Sequence, residues 1–326
     1  MKRFLSILVA AMLLTSCSSA QEAPTRRSVV GFYFDTVVTL AAYVEDDVLL
    51  NEALGECAGY EKLLSKTVEG SDVWNINHAG GKPTQVSDHT INILKTALDV
   101  SELSGGAFDV TVAPAVALWD FTGANDVLPD EKAISEAVKR IDYRKVKIEG
   151  NTVTLPAETQ IDLGGVAKGY IADRIAEFVV AKGLKDAILN FGGNVIALGK
   201  KPDGSSWSVG IQDPKQPTGQ FLMAVHASDM TVVTSGIYER GFELDGVRYH
   251  HLLDPKTGWP AQNELASTTI FTDQSALADA LSTATFVLGA SAGMALVESL
   301  PGVEAMFITR TGEVTATQGA WALVAK

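Results

Sequence analysis

Two glycine-bearing segments of this chain carry charged residues where a ligand could approach the backbone. In the first, Gly105-Gly106 precede Ala107, Phe108 and Asp109 in an otherwise apolar stretch. Glycine permits close contact between backbone and ligand, and a buried Asp109 would be costly without a partner. The pattern indicates a ligand contact, although a helix end followed by a strand would produce it as well.

In the second segment, Asp162 precedes Gly164-Gly165, and Lys168 follows at the predicted start of a helix. Free backbone amides and a positive charge at a helix N-terminus bind anions, so this segment predicts a phosphate site. Its spacing matches neither the Walker loop nor the dinucleotide-binding glycine pattern. A purely structural turn would use the same residues.

Two of the five histidines, His250 and His251, stand side by side before a turn that contains Asp254. Neighbouring side chains on a strand point to opposite faces, so one imidazole can enter a site while the other is packed or solvated. Histidine acts as a general base near neutral pH, and it is also common as a structural residue. The sequence does not say which of the two would be the base.

An acidic and a hydroxyl side chain, Asp279 and Thr283, are four residues apart in a predicted helix and therefore share one face. Both supply the hard oxygen ligands that Mg2+ prefers. Exposed polar residues on a surface helix would show the same spacing, so the pair alone leaves metal binding open.

The elements that must position these residues alternate between groups of strands and groups of helices. Strands are predicted within 29–44 and at 187–190, 195–198, 207–211, 222–227 and 231–234, with hairpins at 145–155 and 305–324. Helices are predicted at 46–64, 130–141, 166–181, 275–288 and 290–299, and another over 87–103 with Ser87 as its N-cap. This pattern predicts one compact α+β domain, and the length also permits two closely packed lobes.

The first residues have the organisation of a lipoprotein signal peptide. Lys2 and Arg3 precede an apolar run over 4–14, which is too short to span a bilayer and is followed by small residues and Cys17. We expect a signal peptide over 1–16, lipidation of Cys17, a tether over 17–28 and a catalytic domain over 29–326. The lipid would anchor the protein to the cell membrane, facing the periplasm or the cell exterior. In the alternative, an ordinary cleaved signal, Cys17 is incidental.

Composition excludes some classes of function. A net charge of -13 argues against a nucleic-acid-binding surface, which would show clustered basic residues. With 46% apolar residues, the chain has ample material for a large core. Cys57 is the only other cysteine, so lipidation of Cys17 would leave no intramolecular disulfide.

In their order and spacing, these segments closely resemble the ApbE family of FAD:protein FMN transferases. The resemblance rests on Asp-Leu-Gly-Gly-Val-Ala-Lys-Gly-Tyr from Asp162, His-Leu-Leu-Asp-Pro-Lys-Thr-Gly-Trp-Pro from His251 and Asp-Ala-Leu-Ser-Thr-Ala from Asp279. Segments 190–194 and 235–240 add support, and the match runs from about residue 34 to residue 283. It departs at Phe34-Asp35-Thr36, where the family usually has Met-Gly-Thr.

The resemblance implies a set of site residues. Contacts to FAD are expected from Phe34, Ala107, Phe108, Asp109, Asp162, Lys168 and His251. Mg2+ is expected to be held by the backbone carbonyl of Gly165 and the side chains of Asp279 and Thr283, completed by pyrophosphate oxygens and water.

The implied reaction is a phosphoryl transfer from FAD to an acceptor protein, which the family suggests is an exported redox subunit. A threonine hydroxyl attacks the FMN-side phosphorus, AMP departs, and FMN stays on the threonine as a phosphoester. His251 is the expected base, His250 is its alternative, and Asp254 follows if neither histidine serves. Two other functions stay open, an FAD pyrophosphatase that uses water as nucleophile and a flavin-binding lipoprotein without catalysis.

Overall fold

The structure, a computed structural model, describes residues 25–122 and 126–325. Its strands are β1 (Thr25–Tyr33), β2 (Thr36–Val44), β3 (Thr84–Gln85), β4 (Lys147–Glu149), β5 (Thr152–Thr154), β6 (Ala187–Phe191), β7 (Asn194–Leu198), β8 (Trp207–Gln212), β9 (Phe221–Ala227), β10 (Met230–Gly236), β11 (Gly241–Leu244), β12 (Val247–His250), β13 (Leu265–Thr272), β14 (Glu304–Thr309) and β15 (Val314–Ala316). Its α-helices are α1 (Val48–Leu64), α2 (Asp72–His78), α3 (Asp88–Leu103), α4 (Ala113–Val116), α5 (Glu131–Val138), α6 (Ala167–Ala181), α7 (Ser275–Leu288), α8 (Ala290–Glu298) and α9 (Gln318–Leu323).

Eight of the strands form one antiparallel sheet in the order β1-β2-β6-β7-β10-β13-β14-β15. The largest apolar cluster lies between one face of this sheet and helices α1, α3, α6 and α7. The β8–β9 hairpin covers part of the other face, where Trp207 packs in a second cluster with Phe271. Sheet and helices thus share one core, which confirms the predicted α+β class.

The start and end of α3 follow from local sequence. The Ser87 hydroxyl accepts a hydrogen bond of 3.2 Å from the Thr90 amide, as the predicted N-cap requires. The Asp72 carboxylate in turn accepts from the Thr90 hydroxyl at 2.7 Å. After Leu103 the helix gives way to Gly105 and Gly106, whose φ angles of 58° and 81° suit glycine. This turn brings the following segment to the site described below.

Several parts of the fold differ from the sequence prediction. Strand β13 and helix α2 were not predicted, and β13 is buried along its whole length although four of its eight residues are serine or threonine. The hairpin predicted over 305–324 is wrong in its second half, because the chain turns into α9 after Thr317 caps that helix. Strand β1 begins at Thr25, inside the predicted tether, because its pairing with β2 extends to Val44.

None of the helices within 25–122 and 126–325 is both long enough and apolar enough to cross a bilayer. Cys17 and the predicted signal peptide lie outside the described residues.

Candidate active site

A cleft of about 800 Å³ opens at one end of the large sheet. Because neighbouring strands run antiparallel, the starts of β2 and β7 and the end of β10 meet there, facing the first turn of α6 and the middle of α7. The alternative bases His250 and Asp254 do not line the cleft. The other residues for which the sequence predicted a cofactor, catalytic or metal role all line it, namely Phe34, Ala107, Phe108, Asp109, Asp162, Gly165, Lys168, His251, Asp279 and Thr283. The fold therefore brings together segments that are distant in sequence.

Oxygen donors converge where α6 begins and α7 passes. The Asp279 carboxylate is 3% exposed, and its Oδ2 accepts a hydrogen bond of 3.0 Å from the Gly169 amide. Its Oδ1 lies 3.6 Å from the Lys168 ammonium. A Cβ added to Gly165 would lie 3.5 Å from the Thr283 hydroxyl and 2.9 Å from the Phe108 ring. Only a glycine lets the backbone approach these side chains so closely.

The first turn of α6 leaves the Gly165 carbonyl available. In a continuous helix the Gly169 amide would bind the carbonyl four residues earlier, but here it donates to Asp279. Among the residues that the structure describes, no backbone amide donates to the Gly165 oxygen. A carboxylate, a hydroxyl and a carbonyl oxygen thus border one corner of the cleft, beside the Lys168 ammonium.

A second cation enters the cleft from the loop after α1. The Lys66 ammonium lies 2.5 Å from Oδ2 of Asp162, 96 residues away in sequence, while Asp162 Oδ1 accepts from the Gly164 amide at 2.8 Å. These contacts hold the glycine turn in place and set positive charge at the edge of the site. Lys66 was not predicted, because a single lysine after a helix has no local signal of function.

Asp109 lines the cleft, but its carboxylate is already satisfied by neighbouring residues. Oδ1 accepts from the amide and hydroxyl of Thr111 at 2.8 and 2.6 Å, and Oδ2 accepts from the Tyr143 amide at 3.0 Å. Burial raises the pKa of this carboxyl, and the three hydrogen bonds oppose the rise. Asp109 therefore braces the segment that presents Ala107 and Phe108 to the cleft.

The two histidines occupy different surroundings. His250 is 0% exposed, its Nε2 lies 3.1 Å from the Ala261 carbonyl oxygen, and its ring packs edge-on against Phe286. Burial lowers the pKa of His250 to about 3. His251 follows the last residue of β12 and lines the cleft.

The tautomer of His251 follows from its contact with the backbone. Its Nδ1 lies 3.3 Å from the Arg240 carbonyl oxygen. Since a carbonyl can only accept, Nδ1 carries the proton and Nε2 keeps its lone pair. Burial, with the nearby charges of Lys168 and Arg240, lowers the pKa of His251 to about 4 and keeps the ring neutral at pH 7. His251 is thus the histidine that can accept a proton in the cleft.

Phe34 lies in the tight turn between β1 and β2. Phe34 and Asp35 have φ angles of 56° and 55°, the left-handed conformation of a two-residue hairpin turn. Asp35 stands where the family pattern has glycine, and aspartate tolerates this conformation better than most residues. The Phe34 amide donates to the Glu61 carboxylate at 2.8 Å, so α1 holds the turn against the cleft.

Asn194, Arg240 and Trp119 are among the lining residues that had no predicted role. Asn194 and Arg240 belong to segments that supported the family resemblance, which was the signal that could have pointed to them. Trp119 also lines the cleft, but it is 8% exposed, and its ring already stacks on Phe121 and on Tyr249, with ring centroids 5.3 and 6.0 Å away. A smaller cavity of about 510 Å³ lies around Tyr170 and Arg174, and none of the predicted site residues lines it.

The sequence of this chain is similar to those of one known protein family. A family model described as the ApbE family matches residues 34–307. A FAD:protein FMN transferase of Treponema pallidum is 40% identical over 276 residues, which cover 79% of this chain and 76% of the relative.

Solved structures agree with the sequence match. An ApbE protein from Thermotoga maritima superposes with a TM-score of 0.84 at 31% identity, over 93% of this chain and 100% of that one. A flavin transferase ApbE from Vibrio cholerae gives a TM-score of 0.83 at 27% identity, over 92% and 99% of the two chains. Because the family model spans most of the chain and the fold agrees, the protein belongs to the ApbE family.

Proposed function

We propose that the protein is a Mg2+-dependent FAD:protein FMN transferase, which attaches FMN to a threonine of another protein and releases AMP. The observation that carries the proposal is the convergence of the Asp279 carboxylate, the Thr283 hydroxyl and the Gly165 carbonyl beside Lys168 in one cleft. Storage of a flavin without catalysis would not require this set of groups. The FAD:protein FMN transferase of Treponema pallidum and the flavin transferase of Vibrio cholerae, both similar to this chain, support the same activity.

The oxygen donors fit a divalent cation that shares its coordination sphere with the substrate. Asp279 is the one carboxylate among them, and within 25–122 and 126–325 no three His, Cys, Asp or Glu side chains form a metal-binding group. Mg2+ usually keeps several water or phosphate ligands, so the pyrophosphate of FAD would complete its shell. When bound, Mg2+ supplies charge neutralisation on the pyrophosphate.

The chain's own cations act on the same phosphates. Lys168 lies 3.6 Å from Asp279, so its ammonium borders the position that the pyrophosphate would take. Lys66 and Arg240 line the same cleft and add positive charge. Fixed donors of this kind stabilise the charge that develops on the phosphoryl oxygens during transfer.

His251 is placed to accept the proton of the attacking hydroxyl. As the threonine oxygen bonds to the FMN-side phosphorus, its proton passes to Nε2 of His251, and the bond from phosphorus to the oxygen of AMP breaks. AMP carries away that oxygen and the electron pair. Negative charge on the bound pyrophosphate would raise the pKa of His251 above its value in the free protein, which strengthens the base.

The deciding experiment incubates the protein with FAD, Mg2+ and a peptide that carries an acceptor threonine. We expect mass spectrometry to show one FMN on the threonine and AMP released in equal amount. A peptide with valine in place of threonine controls for attachment at other residues. Release of AMP with no flavin on the peptide would instead identify an FAD pyrophosphatase, in which water is the nucleophile. Intact FAD in the presence of Mg2+ would contradict both activities.

We also propose that lipidated Cys17 anchors the mature protein to a membrane outside the cytoplasm, where its acceptor would be an exported redox subunit. The support is the basic and apolar leader followed by small residues and Cys17. Acyl chains on one cysteine would hold the protein firmly at the surface. Fractionation should find Cys17→Ser in the soluble fraction, and an unchanged membrane fraction would contradict the anchor.

A further inference from the structure

Asn194, the first residue of β7, presents an unusual polar group to the cleft. Its side chain is 2% exposed and lines the cleft beside the Gly192 turn. Its Nδ2 amide group is buried, yet it finds no hydrogen-bond acceptor among the residues that the structure describes. A buried donor without an acceptor destabilises the fold, because the group loses its hydrogen bonds to water and gains none in return.

The neighbouring strands explain why Asn194 has no partner in the fold. In the sheet it stands opposite Phe191 on β6 and Val233 on β10, and directly opposed residues of antiparallel strands point to the same face. Both neighbours are apolar and 0% exposed. The lateral positions therefore offer no acceptor, and the cleft is the direction in which the amide can find one.

We propose that Asn194 is a substrate-binding residue whose side-chain amide forms a hydrogen bond with a neutral acceptor on one of the two ring systems of FAD. This inference rests on the proposed function. In the proposed complex the phosphates would face the cations that line the cleft, Lys66, Lys168 and Arg240, so a neutral amide is better matched to an uncharged group. Isoalloxazine and adenine both present a donor beside an acceptor at their edges, which complements the two polar atoms of an asparagine amide.

The test compares the wild type with Asn194→Leu and Asn194→Ala, using FAD, FMN and AMP as separate ligands without divalent cation so that no turnover occurs. Loss of one neutral hydrogen bond should weaken FAD binding about three- to tenfold in titration calorimetry. The same loss should appear with FMN or with AMP, according to which half of FAD meets the amide. Either pattern supports the inference.

Thermal unfolding separates this role from a structural one. If Asn194 has no partner in the free protein, Asn194→Leu should unfold at the same temperature as the wild type or up to about 3 °C higher. Asn263 is the matched control, because its amide is satisfied by Phe286 and Leu265 and does not line the cleft. Asn263→Leu should lower the melting temperature and leave FAD affinity unchanged.

Three results would overturn the inference. The first is equal affinity of the wild type and both Asn194 variants for all three ligands. The second is a loss of stability in Asn194→Leu as large as that in Asn263→Leu, since the amide would then serve the fold. The third is a wild type that binds FAD in no condition, and that result would overturn the proposed function as well.

Discussion

Replacement of Gly169 by alanine should separate α6 from α7 and displace the Asp279 carboxylate. A Cβ on Gly169 would lie 2.1 Å from the Ser275 carbonyl oxygen and 2.8 Å from Asp279 Cβ. The first of these distances is roughly 1.4 Å inside the ~3.5 Å of an ordinary contact. The obstacle is a backbone atom of α7 and cannot rotate away, so the two helices must move apart.

The expected cost combines overpacking with a weakened hydrogen bond. Overpacking in a dense core costs about 1–3 kcal/mol, and the Gly169 amide would also lose its 3.0 Å contact with Asp279. A free energy of unfolding lower by about 2–4 kcal/mol corresponds to a melting temperature about 3–6 °C lower for a chain of this length. Because Asp279 loses a partner that orients it, the Mg2+ concentration for half-maximal activity should rise about 10- to 100-fold.

Differential scanning calorimetry and a Mg2+ titration of FMN transfer would measure the two effects. Gly55→Ala is the matched control, since Gly55 lies in α1 and an added Cβ would meet nothing within 4 Å. That substitution should stabilise the helix by about 0.5–1 kcal/mol and leave the Mg2+ titration unchanged. If Gly169→Ala melts like the wild type and needs no more Mg2+, the close packing of α6 on α7 is not what positions Asp279.

Three other changes test the assigned roles. Asp279→Ala should abolish Mg2+-dependent transfer while circular dichroism stays native, and Thr283→Ala should be milder because water can replace a neutral ligand; equal Mg2+ dependence in all three proteins would contradict the metal site. His251→Ala should keep FAD affinity and lower the single-turnover transfer rate by ~10²–10⁴-fold, and an unchanged rate would exclude it as the base. His250 takes up a proton near pH 6.5 when unfolded but only near about 3 when folded, so wild-type stability should fall as pH drops through this window. The free energy of unfolding of His250→Gln, measured by urea titration, should fall less steeply with decreasing pH across the same window. An identical pH dependence in the variant and the wild type would refute the burial argument.

Much of the fold could be predicted because its signals are local. Ser87 can cap α3 because an N-cap needs only a serine hydroxyl next to the first amides of the helix. Asp279 and Thr283 lie on one side of α7 because residues four apart share a helix face. Strand β13 could not be predicted in this way. It is an interior strand of the sheet, between β10 and β14, where neighbouring strands and α7 bury Thr268 and Thr269. The polar side chains of these residues give no sign in the sequence that the strand is buried.

For the residues of the site, too, some features could be predicted from the sequence and others depended on the folded structure. Motif order and spacing by themselves determined the family resemblance and ten of the residues that line the cleft, because those patterns can be read along the chain. Tertiary structure decided the surroundings of each of these side chains. It directs His251 into the cleft and His250 into the core, and it satisfies Asp109 with its own neighbours. It also pairs Lys66 with Asp162 and leaves Asn194 without a partner. Burial, charge and hydrogen-bond partners depend on segments far apart in sequence, so only the folded chain could decide them.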